Sequence, residues 1–78
     1  GRGNQTMKKS ILITVTSDEP FKIIRPGEEK YSNIQNFRFS SKIQAIKQLK
    51  EHFNIDLTYQ HLKQKGIVKI DDYQIYVK

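Results

Sequence analysis

Ser41-Lys42-Ile43-Gln44-Ala45-Ile46-Lys47-Gln48-Leu49-Lys50-Glu51-His52-Phe53 is the stretch that decides the fold. Ser41 and Gln44 have the spacing of a capping box, in which the hydroxyl accepts the third amide and the Gln side chain reaches back. Ile43, Ile46, Leu49 and Phe53 recur at helical spacing, which predicts one apolar stripe with Lys42, Lys47, Gln48 and Lys50 off it. Asn54 suits the left-handed residue that ends a helix. A helix over residues 41–53 with one apolar stripe needs a second layer to cover it.

The flanks supply that layer. Before the helix, Ile11, Ile13 and Val15 alternate with Leu12, Thr14 and Thr16, which predicts a strand over residues 10–16. Ser17-Asp18-Glu19-Pro20 reads as a turn, and residues 21–25 as a second short strand ended by Pro26-Gly27. These two strands form an N-terminal hairpin. Residues 28–36 are polar and mixed and read as a loop; Phe37-Arg38-Phe39 reads as a third short strand. After the helix, Ile55 packs back and Asp56 is placed to cap a second helix over residues 57–65, with Tyr59 and Leu62 inward and Gly66 as its stop. Residues 67–70 and 73–77 alternate around Asp71-Asp72 and predict a terminal hairpin. The fold class is α+β: a small antiparallel sheet, built from an N-terminal and a C-terminal hairpin, packed with two helices in a helix-turn-helix-like or winged-helix-like arrangement.

Composition bounds the function. The chain has 78 residues and no cysteine, which excludes a multidomain enzyme, a disulfide scaffold, a thiol nucleophile and a Cys-ligated metal. Gly1 to Thr6 reads as an appended remnant or flexible arm ahead of Met7, leaving residues 7–78 as a single small domain. Met7-Lys8-Lys9 before Ile11-Leu12-Ile13 imitates a secretory signal, but Ser17-Asp18-Glu19 interrupts the apolar run, and no stretch reaches the ~20 apolar residues of a membrane span. The expectation is a cytoplasmic protein with no membrane partner. His52 and His61 lie on different predicted helices, and no metal-ligand spacing or Gly-rich phosphate loop is present. The reading is therefore of a non-enzyme with no catalytic residues, metal or cofactor.

The net charge is +6, and it is unevenly spread. Lys30, Arg38, Lys42, Lys47 and Lys50 fall in a window that holds no acid, as a phosphate-neutralising surface requires. On the second helix Thr58, Gln60, His61, Gln64 and Lys65 lie outward or along the flank, with short polar donors of the kind that read base edges. Lys42, Lys47, Lys50 and Lys63 are the expected phosphate contacts. Asp71-Asp72 would be repelled by phosphate, so that hairpin tip is expected to face away from any polyanion. Phe37 or Phe39 is expected to cap the core beside Ile43, since so small a core needs its aromatics; the alternative is that Phe37 and Phe39, extended by Tyr76, form a base-stacking platform of the type found in RNA-binding sheets.

Ser40-Ser41-Lys42-Ile43, Phe53-Asn54-Ile55, Leu62-Lys63-Gln64-Lys65-Gly66 and Asp72-Tyr73-Gln74-Ile75-Tyr76 resemble the small helix-turn-helix modules of phages and mobile elements, including those appended to homing endonucleases. The family's turn glycine is Asn54 here, and Lys50 stands where a small Ala is usual. The resemblance implies a DNA-binding regulator or accessory protein, with transcription regulation as its setting and a homodimer as a common working form. Two alternatives stand beside DNA: RNA, and a protein partner such as a host factor. The protein partner would pair with an exposed strand edge, at residues 10–16 or 73–77, or dock on a helix face.

Overall fold

The computed structural model describes residues 10–63 and 66–78. The elements run β1 (Ile11–Lys22), β2 (Tyr31–Phe39), α1 (Lys42–Phe53), α2 (Tyr59–Lys63), β3 (Gly66–Ile70) and β4 (Tyr73–Val77). The four strands form one antiparallel sheet in the order β2-β1-β4-β3. The α+β class and the contribution of one hairpin from each end of the chain are as the sequence predicts.

The N-terminal hairpin is built differently from the expectation. β1 does not turn at Ser17-Asp18-Glu19-Pro20 but runs through it to Lys22. Its register against β2 shifts between Thr16 and Phe21, so Pro20 falls at an irregularity, where a missing N–H costs the ladder nothing. Asn33 of β2 closes this bulge, its side-chain amide donating to the Ser17 and Asp18 carbonyls at 3.0 Å each. The chain reverses instead at Pro26-Gly27, where Gly27 has φ 78° and the Glu28 amide bonds the Arg25 carbonyl at 3.3 Å. Residues 31–36, expected as loop, belong to β2 and pair with β1.

Register also moves the sheet edges. β1 is bonded to β2 on one side and β4 on the other, and β4 lies between β1 and β3. Neither segment expected to offer an open edge does so; the edges are β2 and β3.

On β1, Ile13 and Val15 face the core. Ile13 sits between Phe37 and Val77, and Val15 between Gln35 and Ile75, so these side chains share the inner face. The opposite face carries Leu12, Thr14 and Thr16 with Arg38, Asn36, Tyr76 and Gln74. Phe37 and Phe39 therefore turn inward, Phe39 fully buried, while Tyr76 lies on the other side of the sheet. Phe37 and Phe39 thus serve the core, and the alternative stacking platform with Tyr76 does not form.

α1 begins and ends as the sequence predicts. The Ser41 hydroxyl accepts the Gln44 amide at 3.1 Å, and Asn54 is left-handed (φ 55°, ψ 47°) with its N–H on the Lys50 carbonyl. The Gln44 side chain reaches back to Ser40 rather than Ser41, accepting its N–H at 3.3 Å and its hydroxyl at 2.6 Å. The expected stripe holds at Leu49 and Phe53 and in part at Ile46, which is half-buried against the core, but not at Ile43, which is 73% exposed. Ala45, Leu49 and Phe53, each four residues apart, lie against the sheet. Phe53 anchors this face, its ring meeting Tyr73 at 4.9 Å, Phe21 at 5.1 Å and Phe37 at 6.2 Å. Ile55, Leu57 and Leu62 complete the core from the turn and α2.

Two substitutions separate the expected face from the observed one. Phe53→Ala should lower unfolding free energy by about 3–5 kcal/mol, most of what a domain of this size holds. Ile43→Ala should stay within about 0.5 kcal/mol of the parent in urea denaturation, because its side chain is already in water.

Candidate nucleic-acid interface

α2 is the element to which the sequence assigns base reading, and it is short. It spans five residues, about 8 Å at 1.5 Å per residue. The expected helix over 57–65 is cut at its start because Leu57 is drawn into the core, 1% exposed, which leaves Thr58 to cap in place of Asp56. The Thr58 hydroxyl accepts the His61 amide at 3.4 Å, and the Thr58 N–H donates to His61 Nδ1 at 3.0 Å. This is a capping box with imidazole in the place usually held by Glu. Thr58 and His61 thus hold each other at the helix start.

The remaining candidates separate as follows. Gln60 and Lys63 are exposed on α2. Gln64 and Lys65 lie outside the described residues. Tyr59, expected inward, is 49% exposed, since Leu62 and Leu57 already fill the space beneath α2. Lys42, Lys47 and Lys50 all lie on α1. Lys42 is half-buried with its ammonium 5.4 Å from the centre of the Tyr59 ring, a cation–π contact that ties α1 to α2. Lys47 and Lys50 are exposed and line an open groove of about 510 Å³ with Ile43, Ile46, Glu51 and Tyr59. Three of the expected phosphate contacts are therefore gathered around an apolar strip that helical periodicity alone places in the core.

His52 is also committed to structure. Its ring packs edge-on against Phe53 at 4.7 Å, and its Nε2–H donates to the Lys22 carbonyl at 2.5 Å, pinning the end of α1 to the end of β1.

Charge is sorted across the molecule. Ser17 pairs with Tyr73, which brings the Asp18-Glu19 bulge beside the Asp71-Asp72 turn, and these four acidic residues line one depression with Lys69. The ion pairs among the described residues, Lys22–Glu29 at 3.5 Å and Arg25–Glu28 at 3.7 Å, are both exposed and both flank the Pro26-Gly27 turn. Lys42, Lys47, Lys50 and Lys63 have no such partner within the described residues. The acidic depression and the groove with the lysines share no residue.

Among the described residues no three His, Asp or Glu side chains gather as a metal site would require, and no helix is long and apolar enough to cross a membrane. No family model, curated protein or solved structure matches the chain.

The capping pair yields a test. Thr58→Ala should cost roughly 0.5–2 kcal/mol of stability through loss of the cap. Gln60→Ala should cost little, because its exposed side chain makes no hydrogen bond among the described residues. Both are read from thermal unfolding followed by circular dichroism.

Proposed function

We propose that this protein is a small nucleic-acid-binding protein that neutralises phosphates with the outer face of α1. The observation that carries the reading is the sorting of charge. Lys47 and Lys50 are exposed on one helix face with Lys42 beside them, none of the three in an ion pair among the described residues. Asp18, Glu19, Asp71 and Asp72 collect elsewhere. A polyanion approaching the helices meets cations, and the acidic end of the sheet turns it away from the wrong side.

Within this reading the protein is a DNA-binding accessory protein of the phage or mobile-element kind. Supporting this reading, the order α1, α2 and terminal hairpin is compatible with a winged helix-turn-helix. The five-residue α2 and the mutual bonding of Thr58 and His61 shift the work from α2 to α1. They favour contact with the nucleic-acid backbone over base-edge recognition.

A protein partner is the second reading, and the sheet edge favours it. β3 is an edge strand of mostly apolar sequence with Ile67 65% exposed, the kind of edge to which a further strand adds.

Titration of the full chain with fluorescent DNA across a salt series tests the first reading. Affinity should fall steeply with salt, and Lys47→Glu with Lys50→Glu should lower the log–log slope by about one for each phosphate no longer neutralised. Asp71→Asn with Asp72→Asn should leave the slope unchanged. Salt-insensitive or undetectable binding would reject nucleic acid as the partner.

A further inference from the structure

We infer that the groove between α1 and α2 takes an unpaired nucleobase, stacked on Tyr59, so that the strand bound is single rather than duplex. This rests on the nucleic-acid reading above and names its substrate class.

The groove combines two features that duplex binding does not need together. One is cationic: Lys47 and Lys50 line it and Lys42 borders it at Tyr59. The other is apolar: the exposed Tyr59 ring and Ile43, with half-buried Ile46 beside them. A phosphate backbone alone asks for cations and hydrogen-bond donors, and an isoleucine left in water contributes nothing to it. Single strands present phosphates and free base faces at once, and proteins that bind them set aromatic rings among basic side chains. Lys42 lies over the Tyr59 ring at 5.4 Å, which holds the ring in place and adds a cation to the border of the groove. The base takes the open part of the ring, the isoleucines pack its edge, and Lys47 and Lys50 meet the flanking phosphates. Glu51 is the acid that also lines the groove and marks the side along which the backbone does not run.

The duplex alternative is poorly served here. α2 is five residues long, and its Thr58 and His61 bond to each other, which leaves few free donors to enter a duplex groove.

The experiment compares the full chain and its variants on a labelled 20-nucleotide single strand of mixed sequence and on the matching duplex, by fluorescence anisotropy. Tyr59→Leu keeps apolar bulk but removes the ring; Tyr59→Phe keeps the ring. Both sit at an exposed position, and thermal melts of each confirm the fold. Expected is tighter binding to the single strand, a loss of about 5- to 100-fold in that affinity for Tyr59→Leu, and near-parental affinity for Tyr59→Phe. Equal single-strand affinity for Tyr59→Leu and the parent, with Lys47→Glu still weakening both ligands, overturns the stacking site and leaves nucleic-acid binding standing. Stronger binding to the duplex does the same. No binding to either ligand overturns both readings.

Discussion

Phe53 is the contact on which the arrangement turns. Its ring meets Phe21 on β1, Phe37 on β2 and Tyr73 on β4, so one side chain from α1 fixes the helix against three of the four strands. The next residue, Asn54, takes the left-handed conformation that ends the helix. With Phe53 seated, that reversal aims Ile55 and Leu57 into the core, and Leu57 in turn sets where α2 starts. His52 adds a polar tie beside it, through the Lys22 carbonyl. Helix axis, turn and second helix are thus determined from one end of α1.

The rotation of α1 about its axis follows from the same anchor. Ala45, Leu49 and Phe53 line up four residues apart, and Ala45 and Leu49 are both fully buried. A small residue near the helix start permits a close approach to the sheet, where isoleucine at that place would hold the helix off. Ile43 is then carried round to solvent, while Ile46 stays at the margin of the core. The choice of Ala45 as the inward residue accounts for the exposure of Ile43, and both isoleucines come to line the groove with Tyr59 and the lysines.

What the sequence makes legible is what local chemistry decides. Ser41 and Asn54 bound α1 because a hydroxyl acceptor and a tolerance for positive φ act within a turn of chain. The β3–β4 hairpin follows from alternation around Asp71, whose φ of 53° suits a tight reversal. What stays hidden depends on partners distant in sequence. β2 has polar Ser32, Asn33 and Asn36 among its residues because it is an edge strand with one wet face, and its pairing with β1 is invisible in its own composition. Pro20 signals a break, yet Asn33, well downstream on β2, satisfies the carbonyls that the bulge leaves free. The candidate site shares this pattern. The lysines are legible as a charge run, whereas Tyr59 and Ile43 read as core residues. Helical spacing alone cannot distinguish Ala45-Leu49-Phe53 from Ile43-Ile46-Leu49-Phe53.

The two solvent-facing surfaces differ in kind. The outer face of the sheet is self-contained: Thr14 bonds the Asn36 side chain at 2.6 Å, Thr16 meets Gln74, and the Tyr76 hydroxyl donates to Gln74 at 3.2 Å. Its apolar members Leu12, Ile34 and Ile67 lie opposite Arg38, Thr16 and Tyr76 in the ladder and are separated from one another, as isolated surface hydrophobes commonly are. On the helical side Ile43, Ile46 and Tyr59 line one groove, with Tyr59 49% exposed. An apolar strip bordered by cations suits a ligand with both a flat apolar part and a negative charge. On the proposed nucleic-acid reading, the charge sorting suits a polyanion, and the apolar strip favours one with its bases uncovered.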